Sequence, residues 1–284
     1  MHYYKYHGLG NDYIVIDPSR TEILPEKDNM RLICDRHYGI GSDGILYGPL
    51  FENGSIALRI FNPDGSEAEK SGNGIRIFSR FLYEKGYVTG RKFSILTGGG
   101  KVMTEVMDNN GGMIKVNMGK YTFLSSEIPV SGKDREVINE KIEIRGEVYK
   151  MTCVSVGNPH CVIPLSKISA LLARRLGPLV ENHPLFPKRI NMQLVKVLDR
   201  NNIRIEIWER GAGYTLSSGS SSCAASVAAY RLGLVDNHLS VEMPGGVLEI
   251  EIDGKYVNMT GPVEGVSEGN FTGEFLEKLK VRTS

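Results

Sequence analysis

Phe61-Asn62-Pro63-Asp64-Gly65-Ser66-Glu67-Ala68-Glu69-Lys70-Ser71-Gly72-Asn73-Gly74-Ile75-Arg76 is the stretch whose reading decides the fold. The apolar run Ile56–Phe61 before it reads as a strand that enters a polar turn. Beyond Gly72-Asn73-Gly74, residues Ile75, Phe78, Phe81 and Leu82 fall on one face of a helix that Gly86 stops. Ser71 therefore stands at a helix N-terminus. Free backbone N–H groups and the positive end of the helix dipole converge there, which suits an anion such as a substrate carboxylate. The plain alternative is an N-cap serine in an ordinary turn.

The same design recurs downstream. Strand-like Ile203–Trp208 runs into Glu209-Arg210-Gly211-Ala212-Gly213-Tyr214-Thr215-Leu216-Ser217-Ser218-Gly219, and a helix pattern then carries Ala224, Val227 and Ala228 to Gly233. Ser218 lies 147 positions beyond Ser71 (218 minus 71), and Gly219 and Gly233 stand at the same distance from Gly72 and Gly86. The offset also carries Gly10-Asn11 onto Gly157-Asn158 and Gly98-Gly99 onto Gly245-Gly246. Separated matches in one register argue for an internal duplication. Two halves built alike can face each other across a cleft, each presenting one helix N-terminus and one Ser-Gly pair to a ligand.

Length and charge agree with this. A chain of 284 residues exceeds the usual single-domain size, so two domains of similar size are expected. With 34 basic and 33 acidic residues the formal net charge is +1, which points to neither nucleic acid nor a membrane surface as a partner. No apolar run reaches the roughly 18 residues of a membrane span, and Met1-His2-Tyr3-Tyr4-Lys5 has no signal-peptide core, so a cytoplasmic protein is expected. Cys34, Cys153, Cys161 and Cys223 lack metal-ligand spacing and read as reduced and mostly buried; no metal site is expected.

In chain order, Tyr6-His7-Gly8-Leu9-Gly10-Asn11-Asp12 is a glycine-rich turn without the ending of a phosphate loop. Lys27 to His37 has helical spacing, and Tyr38–Gly44 is turn chemistry. In the second half Pro159 implies a turn at Gly157-Asn158-Pro159-His160, and Ile168, Leu171, Leu172 and Leu176 form a helical stripe ended by Gly177-Pro178. Strands outnumber helices, with one long helix per half. The expected class is α+β, two pseudo-symmetric halves, each a curved and mostly antiparallel sheet around a central helix. The halves are placed at 1–120 and 121–264, with the tail 265–284 packed back on the first. Of the six histidines only His160 falls in a turn read as functional, and a structural histidine is an equal reading there. Glu209-Arg210 reads either as a surface ion pair or, given its place before the second helix entry, as a ligand contact.

The combination of His7-Gly8-Leu9-Gly10-Asn11-Asp12, Asn62-Pro63-Asp64-Gly65-Ser66-Glu67, Gly72-Asn73-Gly74-Ile75-Arg76, Gly157-Asn158-Pro159-His160 and Glu209-Arg210-Gly211-Ala212-Gly213 resembles the diaminopimelate epimerase family over nearly the whole chain. The resemblance implies a cofactor-independent homodimer that inverts an amino-acid α-carbon, taking LL- to meso-diaminopimelate in the lysine and peptidoglycan precursor pathway. It also implies a cysteine before each helix-entry glycine, one acting as thiolate base and the other as thiol acid on opposite faces of the substrate. A helix N-terminus lowers a thiol pKa from about 8.5 and can bind the carboxylate as charge builds at the α-carbon.

At both of those positions this chain has serine, Ser71 and Ser218. An alcohol is nearer to water at about 15.7 than to cysteine at about 8.5, and without an adjacent base it is a poor general base. Tyr214 stands where the family usually carries Glu, and Ser220-Ser221-Ser222 replaces Thr-Gly-Ala; these companions favour natural divergence. Positions matching the family's substrate contacts, Asn11, Asn62, Asn158, Asn191, Glu209 and Arg210, keep their residue types, and Gly72, Asn73, Gly219 and Ser220 at the two helix entries join the expected binding set. Three readings stay open. One is an amino-acid epimerase using Ser71 and Ser218, the second a non-catalytic amino-acid-binding homologue, and the third an isomerase of the same fold with another reaction, in which Tyr214 takes part.

Overall fold

The computed structural model describes residues 1–280; positions 281–284, the end of the expected tail, lie outside the described residues. The chain divides into two compact units, Met1–Val116 with the chain from Gly261 onward, and Asn117–Thr260.

The first unit carries β1 (His2–Gly8), β2 (Asn11–Ile16), α1 (Lys27–Cys34), β3 (Ile45–Glu52), β4 (Ser55–Phe61), β5 (Glu67–Ala68), α2 (Gly72–Glu84), β6 (Lys92–Thr97) and β7 (Gly100–Val106), and β8 (Met113–Lys120) follows at its boundary. The second carries β9 (Glu140–Ile144), β10 (Glu147–Ser155), β11 (Pro159–Pro164), α3 (Ala170–Glu181), β12 (Asn191–Asp199), β13 (Asn202–Glu209), β14 (Gly213–Thr215), α4 (Gly219–Arg231), β15 (His238–Met243), β16 (Gly246–Asp253) and β17 (Tyr256–Pro262). The chain then adds β18 (Glu264–Asn270) and the single-turn α5 (Gly273–Leu276) to the first unit, where β18 pairs antiparallel with β1.

Strand pairing repeats in the two units. From β1 the neighbours run β2 antiparallel, β3 parallel, β4 antiparallel, β6 parallel and β7 antiparallel. From β10 they run β11 antiparallel, β12 parallel, β13 antiparallel, β15 parallel and β16 antiparallel. The offset of 147 carries the limits of α2, Gly72 and Glu84, onto those of α4, Gly219 and Arg231. The duplication read in the sequence is thus repeated in topology.

Each long helix lies against most of its sheet: α2 packs on β1, β2, β3 and β7, and α4 on β10, β11, β12, β13, β15 and β16. Burial extends well beyond one stripe. In α2 Ile75, Arg76, Ile77, Phe78, Ser79, Phe81 and Leu82 are all buried, and in α4 the run Ser221–Ala229 is. A helix enclosed on nearly all sides needs few polar positions, and the small Ala and Ser side chains of α4 let six strands close on it. Phe78 and Phe81, fully buried, stabilise the first unit by roughly 1.5–3 kcal/mol each. The shorter helices α1 and α3 belong to separate apolar clusters, around Ile14, Ile33, Ile45 and Phe61 in one unit and Leu176, Val180, Met192 and Leu194 in the other. The tail is tied to α1, because Asn29 donates to the Leu24 and Lys280 carbonyls and accepts the Lys280 N–H.

Three local readings differ from the sequence expectation. Helix α3 runs through Gly177-Pro178 instead of ending there. A Cβ at Gly177 would meet the Trp208 ring at 2.3 Å, so the glycine admits the indole, and burial against it outweighs the donor missing at Pro178. Leu171, read into the buried stripe, is 79% exposed, while Ala173 and Val180 take that face. Helix α1 ends at Cys34, short of His37, because the Asp35 carboxylate accepts both the His37 and Tyr38 N–H groups at 2.7 Å and turns the chain.

Candidate active site

In the first unit the site is built from the start of β2 and the N-terminus of α2. Residues Asn11 and Tyr13, two apart on a strand, share one face. Ser71 is the N-cap of α2: its Oγ accepts the Gly74 N–H at 3.1 Å and lies 3.0 Å from the Tyr13 hydroxyl. Tyr13 is buried, and Gly44 makes this possible, since a Cβ there would come within 2.6 Å of the tyrosine ring. Asn73 donates to Asn11 Oδ1 at 3.0 Å, and Asn11 donates in turn to Asp43 at 3.0 Å. The orientation of the Asn11 amide is therefore fixed from both ends.

A charged lattice supports Asn11 from behind. Asp12 meets Lys5 at 2.9 Å and Arg36 at 2.8 Å, and Arg36 also reaches Asp43. Burial alone would raise the Asp12 pKa, but hydrogen bonds from Arg36 and Lys5 outweigh it and hold the carboxyl down at about 2. Asn62 stands just past the end of β4. It is exposed in its own turn, donating to Ser66 Oγ at 3.0 Å.

In the second unit Ser218 is the N-cap of α4, its Oγ accepting the Ser221 N–H at 3.4 Å and lying 3.5 Å from Ser220 Oγ. Gly219 is buried in the first turn. Asn158 donates to Ser220 at 3.4 Å, which repeats the Asn11–Asn73 contact at the 147 offset. The Ser218 and Thr215 hydroxyls approach the Glu209 carboxyl. Burial pushes its pKa up, and those two hydroxyls pull it part of the way back.

His160 is fully buried, with Nε2 2.9 Å from Asn158 Oδ1. Burial pushes its pKa down to about 3, and the Arg210 charge acts the same way, so the ring is neutral at pH 7. Behind it Gln193 reaches Ser221 Oγ at 3.0 Å, while His160 Nδ1 and Gln193 Oε1 are left without partners. Interchanging the Gln193 amide oxygen and nitrogen gives both a partner: the NH2 then donates to His160, and the Ser221 hydroxyl donates to the oxygen. The result is a buried chain Asn158–His160–Gln193–Ser221 that ends against the N-terminus of α4.

Asn191 and Glu181 shape the loop that presents Arg210. Asn191 accepts the Arg210 N–H at 2.8 Å and donates to the Pro159 carbonyl at 2.8 Å, tying two site loops together. Glu181, at the end of α3 and not singled out in the sequence, accepts from Arg189 Nη1 at 3.0 Å, Trp208 Nε1 at 2.7 Å and the Gly211 N–H at 3.0 Å. The exposed Arg210 guanidinium donates through Nη1 to the Lys188 carbonyl.

Tyr214 is directed elsewhere. It pairs with Trp208 across β13 and β14, so its side chain lies on the α3 face of the sheet, whereas Glu209 and Thr215 share the opposite face. Its hydroxyl donates to Glu206 at 2.6 Å, and the Arg174 guanidinium sits 4.2 Å from its ring centre. Burial and the Glu206 carboxylate push the phenol up to about 12. Its expected part in an isomerase reaction has no geometric basis here.

Comparison with known proteins follows the same outline. The family model described as diaminopimelate epimerase matches residues 3–124 and 152–266. Diaminopimelate epimerase 2 of Nostoc sp. is 52% identical over 97% of both chains, and the diaminopimelate epimerase of Pelotomaculum thermopropionicum is 40% identical over 95% of this chain and 99% of its own. Among solved structures, a probable proline racemase from Agrobacterium radiobacter superposes with a TM-score of 0.71 at 14% identity, covering 96% of this chain and 93% of that one. A hydroxyproline epimerase from Agrobacterium vitis gives 0.70 at 13%, covering 95% and 90%. At such identities these two structures establish the shared fold. Repeated topology, the family-model match over both halves and relatives along nearly the full length agree, and the chain belongs to the diaminopimelate epimerase family.

Proposed function

We propose that this chain is an epimerase that inverts an α-carbon of diaminopimelate, with Ser71 and Ser218 handling the proton on opposite faces of that carbon. The observation that carries the reading is the repeated device: an N-cap hydroxyl at the entry of each buried helix, with the Glu209 carboxyl beside the one at Ser218. A serine alone is too weak a base. A serine that passes its own proton to a neighbouring carboxylate while taking one from carbon is a relay, and the base strength is then that of Glu209. The N–H groups at the start of α2 and α4 suit a substrate carboxylate, whose negative charge grows as the α-proton leaves. Gly72, Asn73, Gly219 and Ser220 in the first turns are assigned to that end of the substrate. Asn11, Asn62, Asn158, Asn191 and Arg210 are assigned to its polar groups. The resemblance to the family supports a cytoplasmic homodimer working without a cofactor.

The test is incubation of the purified chain with LL-diaminopimelate, followed by chiral chromatography. The meso form is expected to appear with no cofactor added, at a rate unchanged by iodoacetamide. All four cysteines are buried, and burial pushes Cys34 up to about 11 and Cys153 well above its usual value, so neither offers a thiolate. Binding without conversion would leave an amino-acid-binding homologue. Conversion abolished by alkylation would return the chemistry to a thiol.

A further inference from the structure

The duplication is broken at the groups that stand behind the two serines. The 147 offset carries Glu209 back onto Asn62, which cannot store a proton and whose amide is engaged with Ser66. The same offset carries Tyr13 forward onto His160, which is neutral and engaged with Asn158. Ser218 thus has a glutamate beside it and Ser71 has a tyrosine. Each half holds one ionisable group against its serine, on different strands in the two cases.

We propose that the Tyr13 hydroxyl is the proton store behind Ser71, the counterpart in the first half of Glu209 behind Ser218. The inference rests on the epimerase reading above. In one direction the Cα–H proton passes to Ser218 Oγ as the Ser218 proton passes to Glu209. On the other face the Ser71 Oγ–H bond breaks as the new Cα–H bond forms, and the Tyr13 proton moves to Ser71 Oγ. Glutamic acid and tyrosinate remain, total charge is unchanged, and exchange with water restores the starting state. The reverse conversion runs each transfer backwards.

Geometry and chemistry both support the assignment. The two oxygens are 3.0 Å apart, within the range of an O–H···O hydrogen bond, and the Tyr13 ring is confined by the glycine at position 44. Ser71 Oγ already accepts the Gly74 N–H, which stabilises negative charge on that oxygen during transfer. A phenol at about 10 is a far better proton store than an alcohol near 15.7.

The test compares Tyr13→Phe in two backgrounds, the parent chain and Ser71→Cys, by the rate of LL to meso conversion. Phenylalanine keeps the ring and removes only the oxygen, so melting temperature and KM should stay near parent values. In the parent background kcat should fall about 100-fold. In the Ser71→Cys background, where a thiol holds its own proton, the same change should cost less than about threefold. A Tyr13→Phe chain converting within about threefold of the parent overturns the proposal, as does an equal loss in both backgrounds, which marks a purely structural tyrosine. No conversion by the parent chain fails the epimerase reading itself, and the proposal falls with it.

Discussion

Replacing Glu209 by glutamine is expected to lower turnover by about a thousandfold, the usual scale for loss of a positioned acid–base group. Glutamine keeps the shape and the contact with Ser218, but it cannot accept the proton that the serine must pass on. The pH profile gives the sign. Burial raises the Glu209 pKa above the ordinary carboxylate range. As a base it must be ionised, so kcat/KM is full above that raised value and is lost as pH falls through it. The acid limb of the profile should therefore lie above the usual carboxylate region and vanish in the variant, whose residual rate is flat there. Stability moves the opposite way. A carboxyl with a raised folded-state pKa binds its proton more tightly folded than unfolded, so its ionisation at neutral pH opposes folding. The glutamine variant should be no less stable than the parent in urea, a combination that marks a residue kept for chemistry.

Glu181→Gln should do the reverse, costing stability first. The Glu181 carboxylate takes three donors, and one of its oxygens is the partner of Trp208 Nε1. An amide has a single oxygen, so at least one of the part-buried donors, Trp208 Nε1–H or the Gly211 N–H, faces an NH2 group instead. Leaving such a donor unsatisfied costs about 1–3 kcal/mol, or a melting point lower by several degrees. Arg189 is half exposed and can turn to water, which keeps the loss at the lower end. Trp208 is the single tryptophan of the chain, so its fluorescence reports the change directly. The Gly211 N–H is held by the same carboxylate, and the loop that presents Arg210 should loosen with it. KM is expected to rise several-fold with kcat little changed, the pattern of weakened substrate holding.

The frame of the fold was legible because the duplication is written in one register. Ser71, Gly72 and Gly86 recur as Ser218, Gly219 and Gly233, and the limits of α2 and α4 follow. Strand β3 was not, since Gly48-Pro49 interrupts its apolar run. Its pairing with β4 does shift register between Tyr47 and Leu50, where those two residues sit. Strand β18, Glu-Gly-Val-Ser-Glu-Gly-Asn, has no apolar alternation to announce it and stays almost wholly exposed.

In the site the N-cap serines followed from local pattern. What stands behind them did not. Gln193 and Glu181 reach the site from β12 and α3, and only the tertiary fold brings them to His160, Trp208 and Gly211. Tyr13 lies 58 positions before Ser71 in sequence and meets it only when β2 passes the entry of α2. The orientation of Tyr214 could have been read from strand alternation, which sets it with Trp208 and opposite Glu209.

The most direct test of oxygen-based inversion is proton NMR in D2O, following the Cα–H signals of LL- and meso-diaminopimelate with the parent chain beside a Ser71→Cys/Ser218→Cys variant. The parent chain should remove Cα–H signal from both stereoisomers and place deuterium at the inverted centre of the product. Exchange by the double-cysteine variant alone, with the parent chain binding the ligand and leaving its Cα–H intact, would contradict the account.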